Sequence, residues 1–316
     1  MINKRRSFVT GIKGRYLSKK ESSFLKKYRP WGVILFSRNI YSINQTKKLT
    51  NDIKKIFNDR NYPILIDEEG GRVSRLNKFI DTSIFSSEFF GNLYVKDKRK
   101  FNIYYNLYIK QISSLLIILG ININTVPVLD TKRTITTKII GDRSYSTKIN
   151  VISKISDICI NKFHNNRIGT VIKHIPGHGL SKVDSHKKLP IVRQNIESLN
   201  KIDFLPFKKQ NSYLAMTAHI IYKHIDPFNT ATHSPKVINI IRNKIGFKNI
   251  IMSDDISMKA LNYDISKNTT KAFSAGCDLV LHCNGKYSEM LSVAQNSPIV
   301  SNFIIKKTSQ LMNIIR

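Results

Sequence analysis

A chain of 316 residues that is 41% hydrophobic can bury a large core, which excludes intrinsic disorder and suits one barrel-sized α/β domain spanning residues 1–316. Its formal net charge of +31 points at face value to a polyanion; yet the lysines are scattered through every segment, accompany the Ile and Asn of AT-rich codons, and come with no nucleic-acid-binding motif, so codon drift explains them and no nucleic-acid partner is expected. Cys159, Cys277 and Cys283 have no metal-type spacing, and their odd number argues against a disulfide framework.

The chain opens with MINKRRSFVTGIKG, which is charged and lacks the apolar run of a secretion signal. The longest apolar stretch, 112–123, is too short to cross a bilayer and contains Gly120 and Asn122. A soluble cytoplasmic protein with no membrane segment is the expectation. Short apolar, β-branched runs then recur at 7–12, 32–36, 63–66, 121–126, 170–172, 213–217, 249–252 and 278–281. Each is nearly continuous, as strands buried on both faces require. Helical patterns lie between them, at 43–57, 100–119, 151–164 and 235–244. Eight strands alternating with helices predict an α/β fold, a single (β/α)8 TIM barrel. An open doubly wound sheet is the competing architecture, but no Gly-rich dinucleotide turn follows the first strand.

Polar residues cluster just after the predicted strands: Arg38-Asn39, Asp67-Glu68-Glu69, Asp130, Lys173-His174, His219 and Asp254-Asp255. In a barrel these positions converge on the C-terminal rim, where active sites are built. Asp254 and Asp255 end a strand, so their side chains should diverge. Asp254 suits a nucleophile, whereas either carboxylate can instead cap a following helix at 256–261. Around KHIPGHG, residues 173–179, a strand end and a Gly-containing loop bring together a lysine and two histidines, with Asp184 and His186 following. Two residues apart in an extended segment, Asp184 can orient His186 as an acid/base dyad. A metal site and a solvated loop are the alternatives there; no helix fixes a ligand spacing for His174 and His178. In the stretch 66–76, Asp67 offers an acceptor for paired hydroxyls and Arg75 a donor fork, against an internal ion-pair cluster of Glu68, Glu69 and Arg72. Arg143, in GDRSYS, adds a further guanidinium, or belongs to an ordinary Asp-capped turn.

Together, GVILFSRN, ILIDEEGGRVSRL, VPVLD, GDRSYS, KHIPGHG with DSH, MTAHI and IIMSDDISM resemble the NagZ-type β-N-acetylhexosaminidases of glycoside hydrolase family 3. The match runs in the family's order from about residue 32 to 261, and more loosely through AGCDLVLHCNG. The resemblance implies a retaining β-N-acetylglucosaminidase with Asp254 as nucleophile, His186 as acid/base and Asp184 as its partner. It also implies that Asp67, Arg75, Arg143, Lys173 and His174 bind the N-acetylglucosamine ring. The implied reaction removes non-reducing GlcNAc from 1,6-anhydro-N-acetylmuramyl-peptides in peptidoglycan recycling, with no metal and no organic cofactor; a monomer is expected. A histidine acid replaces the second carboxylate that most retaining glycosidases hold about 5–5.5 Å from the nucleophile. It avoids a second anion beside Asp254 but requires the loop at 174–186 to move and close over the substrate. Two other functions remain open on the residues alone: a phosphorylase using the same site, because a neutral imidazole repels phosphate less than a carboxylate does, and a non-catalytic polyanion-binding protein.

Overall fold

The chain is described from a computed structural model, over residues 2–133, 139–181 and 189–316. Among the described residues ten strands occur: β1 (Arg6–Gly11), β2 (Pro30–Leu35), β3 (Ile64–Ile66), β4 (Ile123–Asn124), β5 (Gly169–Ile175), β6 (Ile191–Val192), β7 (Leu214–Thr217), β8 (Ile221–Tyr222), β9 (Ile250–Asp255) and β10 (Leu279–His282). Eight of them close a parallel barrel in the order β1-β2-β3-β4-β5-β7-β9-β10, and β10 returns to β1 with Thr10 opposite His282. The remaining pair, β6 and β8, forms a small parallel ribbon beside it.

The unbroken apolar runs become barrel strands because both of their faces find apolar partners. Val9, Ile34, Leu65, Val171, Leu214, Ile250 and Leu279 point inward into one cluster. Their neighbours Phe8, Val33, Ile64, Ile172, Ala215, Ile251 and Val280 point outward into a second cluster shared with the helices. This alternation is the two-residue period of a strand closed into a barrel.

The surrounding helices are α1 (Lys19–Tyr28), α2 (Ile43–Phe57), α3 (Ser87–Lys96), α4 (Lys98–Ile118), α5 (Ile149–Asn165), α6 (Ile196–Lys201), α7 (Pro235–Ile240), α8 (Ile265–Ala275), α9 (Tyr287–Asn296) and α10 (Asn302–Ile315). Their ends follow local chemistry. Ser42 starts α2 by accepting from the Gln45 N–H, and Asn58 stops it in the left-handed region. The bounds of α2 coincide with those the periodicity predicts. Helix α10 packs differently from the others, because its Ile304, Leu311 and Ile315 enter the inner cluster. There Trp31 Nε1, near the start of β2, donates to Thr308 Oγ1 at 2.9 Å. The N-terminal mouth of the barrel is thus plugged, leaving the C-terminal mouth for chemistry.

The structure corrects two expected elements. The stretch 256–261 is not a helix but a turn, because Asp255 Oδ1 accepts from both the N–H and the hydroxyl of Ser257. The next helix, α8, begins only at Ile265, capped by Asp264. The pattern at 235–244 splits into α7 and a π-helical turn, Ile241–Ile245, which Gly246 ends at φ 84°.

Trp31 is fully buried between the barrel interior and α10. We expect Trp31→Ala to destabilise the protein by about 3–5 kcal/mol, through lost burial and an incompletely filled cavity. Chemical denaturation would measure this; a loss under about 1 kcal/mol would mean that α10 does not seal the barrel.

Candidate active site

A cavity of about 300 Å³ opens at the C-terminal ends of the strands. Its lining includes Asp67 and Glu69 after β3, Arg72 and Arg75 further along that loop, Arg143, Lys173 and His174 at the end of β5, and Asp254 at the end of β9. Six of the eight residues expected to form the site are therefore brought together. The other two, Asp184 and His186, lie outside the described residues.

The loop after β3 is shaped by its own acids. Glu68 is buried, and its Oε2 accepts from the Arg75 N–H at 2.7 Å and the Leu76 N–H at 3.1 Å, folding the loop back on itself. Burial pushes its carboxyl pKa up despite these bonds. Gly70 makes the turn at φ +81°, where a side chain would run into the Phe85 carbonyl. Glu68 is therefore a loop organiser, not an ion-pair partner.

Glu69 is the ionic hub. Its carboxylate receives a bidentate pair of bonds from Arg143, at 2.8 and 2.9 Å, and the Lys173 ammonium at 2.7 Å. Burial opposes its charge, but Arg143 and Lys173 outweigh burial and hold its pKa well below the usual carboxylate range. The pKa of Arg143 is raised in return, with Glu69 overcoming the cost of burial. Lys173 also reaches Asp67 Oδ1 at 3.0 Å and Thr125 Oγ1 at 3.0 Å. Asp67 is half-buried, and although desolvation raises its pKa, Lys173 and Arg75 hold it down at about 2. Arg75 approaches the second Asp67 oxygen at only 3.7 Å, so that oxygen keeps acceptor capacity toward the cavity. Arg143 has committed two N–H groups, on Nε and Nη2, to Glu69, leaving those of Nη1 and the second on Nη2 as further donors.

His174 is set by Asp130, whose Oδ2 lies 2.7 Å from Nδ1. The same carboxylate accepts from the His178 N–H at 2.6 Å. With Nδ1 facing an acceptor, the Nε2 of a neutral His174 is left to accept. Consecutive residues of a regular strand face opposite ways, yet Lys173 and His174 both line the cavity. The β5–β7 register shifts between Lys173 and Ile175, which accounts for it. Beyond them the backbone is tied down as far as Ser181, with the Tyr222 hydroxyl donating to the Gly177 carbonyl. The expected loop movement at 174–186 thus has a packed base at 174–181, and its remainder, 182–186, lies outside the described residues. Among the described residues, no group of three His, Cys, Asp or Glu side chains is placed to hold a metal ion.

At the end of β9 the two carboxylates separate, as adjacent strand positions should. Asp255 turns to its own chain, accepting from Ser257 and from the Cys283 N–H at 3.2 Å. Asp254 lines the cavity, its Oδ1 accepting from the Asp255 N–H at 2.7 Å. Arg38 and Asn39, read as rim polars, instead bind loop carbonyls: both donate to Ile12, and Arg38 also to Cys283. His178, weighed in the sequence with His174, lines the cavity as well, as do Phe36, Met216 and Cys283, which no motif singles out as contacts. These last three sit at or just after strand ends, the one signal by which they are found.

The buried carboxylates make stability pH-dependent in a definite direction. A carboxylate whose folded pKa lies below its unfolded value, about 3.9 for Asp, stabilises the fold above that pH. The stabilisation disappears as pH falls through the folded value, which is about 2 for Asp67. We expect Glu69→Gln, which leaves Lys173 and Arg143 short of a counter-charge, to cost about 3–5 kcal/mol at neutral pH. The deficit should shrink as pH falls below about 4. Thermal unfolding from pH 7 to pH 2 tests it, and a pH-independent deficit would remove Glu69 from its place as ionic hub.

Residues 9–314 match the glycosyl hydrolase family 3 N-terminal domain. The chain is 31% identical to a β-hexosaminidase from Alkalilimnicola ehrlichii over 87% of its own length and 80% of that protein's. Its fold superposes on NagZ from Neisseria gonorrhoeae, solved with N-trifluoroacetyl-D-glucosamine, with a TM-score of 0.87 at 28% identity, covering 98% of this chain and 90% of that one. A family 3 β-N-acetylglucosaminidase from Paenibacillus sp. shares the fold with a TM-score of 0.84 at 24% identity; this chain covers 62% of that longer protein and is itself covered over 99%. The chain belongs to glycosyl hydrolase family 3, as a glycoside hydrolase grouped with the β-hexosaminidases.

Proposed function

We propose that the protein is a retaining β-N-acetylglucosaminidase that takes non-reducing GlcNAc from 1,6-anhydro-N-acetylmuramyl-peptides in cytoplasmic peptidoglycan recycling, working as a monomer built on one barrel domain, residues 1–316. The observation that carries this reading is the cavity in which Asp254 shares the lining with the Asp67, Glu69, Lys173 and Arg143 cluster. Such a cluster presents fixed acceptors and donors to an uncharged, hydroxyl-rich ring without requiring ions to move. The relatives named for β-hexosaminidase activity and the N. gonorrhoeae protein bound to a glucosamine derivative support the choice of sugar.

In this reading Asp254 attacks the anomeric carbon and forms a glycosyl-aspartate, which water then hydrolyses. Asp67, Arg75, Lys173, His174 and the remaining donors of Arg143 hold the ring. His186, oriented by Asp184, protonates the leaving oxygen and afterwards takes a proton from the attacking water.

Hydrolysis of an aryl β-N-acetylglucosaminide tests the assignment. Asp254→Ala should fall to background, and retained activity there would sink the mechanism. His186→Ala should lose about 10²–10⁴-fold on natural saccharides and far less on aryl substrates, whose leaving groups need little protonation. Release of GlcNAc-1-phosphate in phosphate buffer would replace hydrolysis by phosphorolysis. Failure to cleave a GlcNAc–anhydro-muramyl-peptide would overturn the substrate while leaving the chemistry intact.

A further inference from the structure

We infer that His219 is a positioning residue for the nucleophile: its side chain holds the end of β9 where the backbone ladder to β7 has run out. The inference rests on the reading of Asp254 as nucleophile. Strand β9 continues to Asp255, but its register with β7 runs from Leu214 opposite Ile250 to Met216 opposite Met252. On the other flank β10 follows the strand to its end, with Leu281 opposite Asp255 and the Leu281 carbonyl accepting from the Ile256 N–H at 2.9 Å. On the β7 flank the contact at this depth comes from His219, whose Nε2 lies 3.0 Å from the Asp255 carbonyl.

The surrounding bonds set the direction of this contact. A carbonyl only accepts, so Nε2 carries the proton and donates. In a neutral ring Nδ1 then accepts, and its partner is the Thr232 hydroxyl at 2.8 Å. With that proton spent, Thr232 receives one from the Thr217 hydroxyl at 2.7 Å. A directed chain therefore runs from Thr217 through Thr232 and His219 to the peptide after Asp255. The imidazole is fully buried, and burial lowers its pKa although Asp254 pulls it upward. A neutral His219 steadies the backbone without pairing ionically with Asp254, which would blunt a nucleophile. Asp254 feels the backbone directly, since its Oδ1 accepts from the Asp255 N–H. The peptide planes flanking Asp255 thereby set the direction of the carboxylate.

Steady-state kinetics on an aryl β-N-acetylglucosaminide test the inference, with thermal unfolding of each variant as a check on folding. His219→Leu should lower kcat by about 100-fold, the order expected when a reacting group is misplaced by an ångström. KM should move little, because the ring-binding groups are untouched. His219→Gln should recover most of kcat, because its amide N–H can reach the same carbonyl. Thr232→Val, which deprives Nδ1 of its donor, should lower kcat less and serves if His219→Leu does not fold. Wild-type kcat in a folded His219→Leu, or in Thr232→Val where His219→Leu does not fold, or a His219→Gln no better than a folded His219→Leu, would overturn the inference while Asp254→Ala remains inactive. Activity in Asp254→Ala would instead overturn the underlying reading.

Discussion

The site depends on one buried carboxylate. Glu69 neutralises the Lys173 ammonium and fixes the Arg143 fork, so it joins the loop after β3, the end of β5 and the segment following β4 at a single point. Burying any one of these charges alone would be prohibitive, and removing one leaves its partners uncompensated. The geometry that presents Asp67, Lys173 and Arg143 to the cavity is thus a consequence of charge balance. The balance extends over the cavity: its described lining holds Asp67, Glu69, Asp254 and Asp255 against Arg72, Arg75, Arg143 and Lys173. The excess of basic residues that dominates the composition does not extend to that lining.

Around this hub, many polar residues of the rim serve the backbone. Glu68 ties its loop, Asp130 sets one imidazole and the amide of the next histidine, and Asp255 organises the turn after β9. Arg38 and Asn39 hold the carbonyls of neighbouring loops. Residues that line the cavity and residues that hold them share types and positions, because both must emerge at the C-terminal ends of strands. A precise constellation needs this support, since loops leaving a barrel have few ladder bonds of their own.

Much of the architecture was legible in the chain. Two-sided burial demands continuous apolar strands, and their recurrence between amphipathic helices leaves few folds other than a barrel. Missed or misjudged elements have physical causes. Helix α10 lies outside the helical patterns named from the sequence, and only closure of the barrel reveals that its apolar face plugs the N-terminal mouth. The 256–261 stretch looked helical because nothing local shows that Asp255 would spend its carboxylate on Ser257 and Cys283. The β6–β8 ribbon pairs two-residue strands, too short to carry a periodic signal.

By itself the sequence determined the fold class, the family-specific motifs and the set of polar residues that strand ends deliver to one rim, because these follow from local periodicity and residue chemistry. Only the tertiary structure decided which of those residues do what. It committed two donors of Arg143 to Glu69, spent the Asp255 carboxylate on Ser257 and Cys283 while Asp254 lines the cavity beside it, and brought His219 against a carbonyl 36 positions further along the chain. These choices are made by hydrogen bonds and charge pairs between segments far apart in sequence, which exist only once the barrel has closed.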